Sequence, residues 1–480
     1  MAWRNYGCAL LALALACGDD DGGSDAGRDD TGVDAPGVDA PGTDSGEDGG
    51  PDAGIDASRP DAMPPEACAL PDPIDTDVTF ENTLYVEVGG SGDGSEGNPF
   101  GDIEPAVAAA GPSTRIIVRA GTYDRVNSIS PQGEEGRPIK IEAEGDVIID
   151  AGGSGSTGWS MSDPRWVVVQ GFRIVNSGVH GMNIDDGGSY DTPGEFLVLR
   201  DITIPSAGSG GNNDCIKMSG IDDFWVLESD VAGCDRGEII DMVGCHRGVI
   251  ANNAFASPVG NGVQAKGGSS DTIIANNVFT DIPGRAVNAG GSTGLEFFRP
   301  IDAPFEAARI RVVSNLFVRG GTESGTPIAY VGCDACEFVN NTVIEPSTWV
   351  ARILQESGDA RFVPSRNGLF ANNIIVVNIA DIRSWFNVGT GTAPETFTFT
   401  NNLWFALDDD TFTGPLYGGG IPNGVNDIVM DPEMVDRAGG NYRLMPGSPA
   451  EGAGTDVGPL PPDLDAACYG DPPTLGAYSL

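Results

Sequence analysis

Nine short strand-turn phrases recur along this chain, with their turns at Gly171, Asp201, Asp230, Asn253, Asn277, Asn315, Asn341, Asn373 and Asn402. The commonest phrase is an apolar alternation, a small polar pair and one large apolar residue. It reads Val249-Ile250-Ala251-Asn252-Asn253-Ala254-Phe255 in one place and Ile273-Ile274-Ala275-Asn276-Asn277-Val278-Phe279 in the next. Intervals of 23 to 38 residues are too long for hairpins and lack the periodicity of paired helices, so each interval is one coil of a solenoid. The expected fold is all-β: a single-stranded right-handed parallel β-helix of about ten coils, roughly 45 Å long at one strand spacing per coil. Asparagines stacked at one corner would pass hydrogen bonds from amide to amide and would tolerate the left-handed backbone of the turn.

The chain around this repeat has a different composition. Residues 1–16 carry one cation, Arg4, and an apolar run up to Ala16, followed by Cys17. This resembles a bacterial lipoprotein signal, which implies lipidation at Cys17, export, and attachment to the outer membrane or cell surface of a Gram-negative bacterium through that lipid alone. Residues 17–75 are Asp, Gly, Ala and Pro in near-repeats such as Val33-Asp34-Ala35-Pro36-Gly37 and Val38-Asp39-Ala40-Pro41-Gly42. Such a segment has nothing to bury and repels itself, so it is expected to be a disordered tether. The β-helix is expected over 80–455 and a closing segment over 456–480, in a monomer. A formal charge of −44 excludes nucleic acid as a partner. In an exported chain the cysteines are disulfide candidates. Cys68 and Cys468 stand where they would tie the ends of the body together, and Cys333-Asp334-Ala335-Cys336 is too isolated for a zinc site.

Several segments resemble the pectate-lyase-like β-helix superfamily. Leu84-Tyr85-Val86-Glu87-Val88 with Asn98-Pro99-Phe100 is similar to its opening strand and loop, and a short helix over Ile103 to Ala110 would cap the first coil. Asn441-Tyr442-Arg443-Leu444-Met445-Pro446 and Leu475-Gly476-Ala477-Tyr478 resemble the closing segment of exported β-helix proteins. The resemblance implies the fold for about residues 84–480. It leaves open lyase, hydrolase and adhesin activities.

Only three lysines occur: Lys140, Lys217 and Lys266. Strand alternation sends Val263 and Ala265 inward and leaves Gln264 and Lys266 outward, and the same rule turns Lys217, Asp241 and Asn288 outward. Consecutive coils would then gather Asp214, Lys217, Glu238, Asp241, Gln264, Lys266, Arg285 and Asn288 on one patch, with Arg352 farther along. Such a patch suits β-elimination of an acidic polysaccharide, in which a cation neutralises the uronate carboxylate and a base takes the α-proton. Gly260-Asn261-Gly262-Val263-Gln264-Ala265-Lys266 resembles the coil of β-helix lyases that carries their lysine base, which implies Lys266 as base and Arg285 as the group steadying carboxylate or leaving oxygen. Lys217, Gln264, Asn288 and Arg352 would bind substrate. Glu238 and Asp241, with Asp214 or Asp235, would hold Ca²⁺. Two other readings remain. One is a non-catalytic carbohydrate-binding or adhesive rod stacking sugars on Phe297, Phe298, Trp349, Trp385 or Trp404. The other is a glycoside hydrolase using paired carboxylates.

Overall fold

The computed structural model describes residues 68–480 apart from 190, 191, 209–211, 236, 258 and 324. The signal sequence, Cys17 and the tether up to residue 67 lie outside the described residues. Within them, strand follows strand through a parallel β-solenoid of about 12 turns. The sequence count of about ten is close to this, and the early coils use long strands, Ile139–Gly153 and Arg165–Ser177, in place of the asparagine phrase. A 24-stranded sheet and a 10-stranded sheet form the walls. Pairing between strands is parallel except for the small ribbon of Met434–Asp436 with Asn441–Leu444 near the C-terminus. The helix Ile103–Ala109 buries Ile103, Ala106 and Val107 where the cap was expected.

The interior is filled by aligned rows. Phe255, Phe279 and Phe317 come from three successive coils, with ring centroids 5.2 and 4.8 Å apart. Each such side chain contributes roughly 1.5–3 kcal/mol through burial. Beside them runs the asparagine ladder. Asn253 Nδ2 donates to Asn277 Oδ1 at 2.9 Å, and the relay continues through Asn315, Asn341, Asn373 and Asn402 to Asp427. The two tasks assigned to one asparagine are divided between neighbours. The residue before the ladder member takes the left-handed backbone, at Asn252, Asn276, Ser314, Asn340, Asn372 and Asn401, while the ladder member points in and bonds. One coil earlier Ser229 takes the ladder place, its N–H donating to Asn253 Oδ1, so the turn expected at Asp230 is set by Glu228 and Ser229 instead.

Residues 68–75, expected to belong to the tether, lie against the solenoid wall. Leu70 and Ile74 pack on Val168, Val198 and Trp225, the Trp225 indole donates to Pro71 O at 3.0 Å, and Asp75 receives Arg200 at 2.7 Å. Disulfides join Cys68 to Cys468, Cys215 to Cys234 and Cys333 to Cys336, while Cys245 is a buried thiol. Three disulfides are the chemistry of an oxidising compartment and fit export.

Candidate functional site

The site lies on the outer face of the 10-stranded sheet. In the strand Glu238–Val243, Ile240 and Met242 enter the core and Asp241 faces out; in Asn261–Lys266, Val263 and Ala265 enter and Gln264 faces out. Parallel register then stacks the outward positions: Asn183 against Lys217, Lys217 against Asp241, Asp241 against Gln264, and Gln264 against Asn288. Ala329 follows Asn288 in this column, then Arg352, then Asn387. The expected patch is assembled by this single column and its immediate neighbours.

Its centre is a group of charges. Asp214, Glu238 and Asp241 each bring a carboxylate oxygen within 4.8 Å of the others, a cluster able to hold a metal ion. Asp214 and Asp241 are fully buried. The Lys217 ammonium contacts Asp241 Oδ2 and lies 3.6 Å from Asp214 Oδ2, while Lys266 Nζ lies 3.2 Å from Asp241 Oδ1. Burial opposes ionisation of Asp241, but the two ammonium groups outweigh it and hold its carboxyl below the ordinary value. Burial and the neighbouring Asp241 carboxylate push Asp214 up. Glu238 is pushed up to about 8, first by burial and then by Asp241 and Asp214, so it carries a proton at neutral pH. Asp214 Oδ2 and Glu238 Oε2 are buried without a hydrogen-bond partner.

A polar chain leads away from this centre. Gln264 Nε2 donates to Asp241 Oδ1 at 3.2 Å, Asn288 Nδ2 donates to Gln264 Oε1 at 2.7 Å, and Arg285 Nη1 donates to Asn288 Oδ1 at 3.2 Å. Arg285 also pairs with Glu356 at 2.5 Å. Arg352 lies farther along the column, its Nε donating to Asn387 at 2.9 Å and its guanidinium over the Trp349 ring. Asp235 is exposed and stands apart from the three-carboxylate cluster.

One residue escaped the sequence reading. His180 accepts the Asp214 N–H at its Nδ1 (3.0 Å), with that nitrogen 3.6 Å from Asp214 Oδ2. Burial and the Lys217 ammonium lower its pKa, which suits a neutral ring accepting at Nδ1. Coil-by-coil counting separated His180 from Asp214, yet adjacent coils are direct neighbours; pairing every polar residue with the coil on either side would have found it.

The segment from Gly294 to Glu306 stands beside Lys266. Lys266 is followed by Gly267 and Gly268, both in the left-handed region; a side chain on Gly268 would strike Arg299 O at 2.4 Å. That close approach lets Arg299 N donate to Gly267 O and lets the Arg299 guanidinium grip Asp222 at 2.6 and 2.7 Å. The buried Glu306 carboxylate then accepts from Gly267 N at 3.0 Å and from Thr293. Of the proposed stacking platforms, Phe298, Trp349, Trp385 and Trp404 are buried, because the coils use them as core and as loop anchors. Phe297 is 56% exposed.

No protein-family model matches this sequence, and no curated protein matches it. Solved structures do. The chain is similar to pectate lyase Pel9A at 16% identity over 85% of this chain and 98% of that one, with a TM-score of 0.45. It is similar to an alginate lyase from Paenibacillus sp. at 14% identity, 66% and 99% coverage and a TM-score of 0.38. A third is PfbA, a surface adhesin of Streptococcus pneumoniae, at 11% identity, 67% and 85% coverage and a TM-score of 0.45.

Proposed function

We propose that this protein is an exported β-helix that binds an acidic polysaccharide and cleaves it by β-elimination at the Lys266 face. The observation carrying this reading is that one column of stacked strands brings an amine, an arginine and a buried carboxylate group together, with Lys266 Nζ 3.2 Å from Asp241 and Arg285 joined to that carboxylate through Asn288 and Gln264. Arg285 would receive the uronate carboxylate by exchanging Glu356, which is exposed. Lys266 Nζ, after giving its ammonium proton to solvent, takes the proton from the carbon α to that carboxylate. The released electron pair forms the C4–C5 double bond, the C4–O glycosidic bond breaks, and the departing oxygen takes a proton from solvent. Lys217, Gln264 and Asn288 orient the amine and the sugar, and Arg352 extends the binding face.

Calcium enters this reading only as a competitor. Asp214, Glu238 and Asp241 offer oxygen donors of the right kind, but a calcium ion bound about 2.4 Å from the Asp214 and Asp241 oxygens would collide with the Lys217 ammonium. With the Lys217 ammonium in place the three carboxylates do not fit that ion, and no step is drawn through it. Cys17 would carry the lipid that holds the monomer at the cell surface.

The test is a panel of pectate, alginate, chondroitin and neutral polymers with purified protein, read by the ultraviolet absorbance of unsaturated uronate. Absorbance should rise with one acidic polymer and with none of the neutral ones. Binding with no absorbance change across the panel would replace this reading with the adhesive one. Exposed Leu295, Phe297 and Ile301 beside Lys266 favour that second reading, since they give a binding rod an apolar edge.

A further inference from the structure

Three acidic side chains facing one another need a counter-cation, and this chain supplies one from its own side chains. Lys217 sits in the strand Ile216–Ser219, between Ile216 and Met218, both fully buried in the core. Those anchors fix where its side chain begins, and register sets it directly against Asp241. The ammonium reaches Asp241 Oδ2 and stands 3.6 Å from Asp214 Oδ2, and both carboxylates are fully buried. Lys266 approaches the other oxygen of Asp241 at 3.2 Å. Two buried carboxylates therefore face two ammonium groups, and an added divalent ion would leave the group with excess positive charge in a place with little water to screen it.

We infer that Lys217 is the resident cation of this site, standing where a divalent metal would otherwise bind, so that the native protein holds no metal there. The inference goes beyond the elimination reading and holds whether the polymer is cut or only bound. It has a chemical consequence. A tethered ammonium cannot be stripped by a chelator, and by occupying one oxygen of Asp241 it leaves only the other for Lys266 and Gln264.

The test is calcium titration of the full chain by calorimetry, alongside melting curves with calcium or chelator. Any calcium taken up by the acidic N-terminal segment is common to every variant, so the site-specific signal is the part removed by Asp214→Asn. Wild type and Lys217→Arg should show no such part and no calcium-dependent melting shift. Lys217→Met, which removes the charge and keeps the bulk, should gain one calcium per chain and a melting temperature that rises with calcium, and both gains should vanish when Asp214→Asn is added. Site-specific calcium binding by wild type would overturn the inference, as would a folded Lys217→Met that binds none. Should Lys217→Met fail to fold by circular dichroism, the wild-type and Lys217→Arg titrations decide alone.

Discussion

Two polar columns run along this solenoid, built by the same register and finished in opposite ways. At the asparagine corner every member from Asn253 to Asn402 is neutral and each amide both gives and receives. Asn315 accepts from Asn277 and donates to Asn341 and to Ile274 O, all at 2.8 to 3.0 Å. At the Lys217 face charged members, Lys217, Asp241 and Arg352, stand among neutral ones, and two carboxylate oxygens beside them are left without a hydrogen bond. A self-satisfied column has no capacity for a ligand and acts as structure. A column with unmet buried acceptors costs stability, which a fold retains where those groups have work to do.

The largest expected effect lies in the charged column. Lys266→Ala should lower release of unsaturated uronate by about 100-fold or more while leaving polymer binding and the melting temperature close to wild type. Cleavage at the wild-type rate would remove Lys266 from the chemistry and erase the distinction drawn between the columns.

The ladder should answer in stability alone. Asn315→Ala removes the acceptor of both the Asn277 amide and the Asn277 backbone N–H. Two buried donors left unpaired cost about 2–4 kcal/mol, measurable by denaturant unfolding, with specific activity per folded molecule unchanged. A loss below 0.5 kcal/mol would show that the corner does not depend on the relay.

Much of this contrast was legible in the sequence. Recurrence of the polar pair gave the solenoid, and alternation around Val263 and Ala265 turned Gln264 and Lys266 outward. Neighbours across coils were harder. His180 reaches Asp214 from 34 residues away, a distance that one-dimensional patterns do not register. Asp235 was an alternative to Asp214 as a third carboxylate because it lies close to the strand Glu238–Val243 in sequence, but it is exposed. The buried aromatics misled for a plain reason: Trp349 and Phe298 sit in loops, and packing partners such as Arg383 and Arg361 come from separate segments.

A smaller effect separates the columns by pH. Glu238 titrates near 8 in the folded protein against an ordinary value of 4.5, so the folded state keeps a proton that the unfolded chain has released in between. Stability from this group is full below the ordinary value and is lost as pH rises through about 8. Glu238→Gln should flatten that decline, so that the variant melts above wild type at alkaline pH. The asparagine ladder has no titrating amide, and Asn315→Ala should leave the shape of the pH curve unchanged. Parallel pH curves for wild type and Glu238→Gln would contradict the burial assigned to this carboxyl.

The smallest expected change is at the exposed edge. Phe297→Ala should alter stability by less than about 0.5 kcal/mol while weakening polymer retention on an affinity gel. Unchanged retention would take the loop edge out of the binding surface.

The central claim is tested most directly by digesting the responsive polymer in water enriched in heavy oxygen, with chelator present, and weighing the products by mass spectrometry. Elimination at the Lys266 face predicts fragments with an unsaturated end and no solvent oxygen. Fragments carrying one solvent oxygen would mean hydrolysis by the carboxylates, and an intact polymer still bound to the protein would mean that the column only holds it; either result contradicts the account.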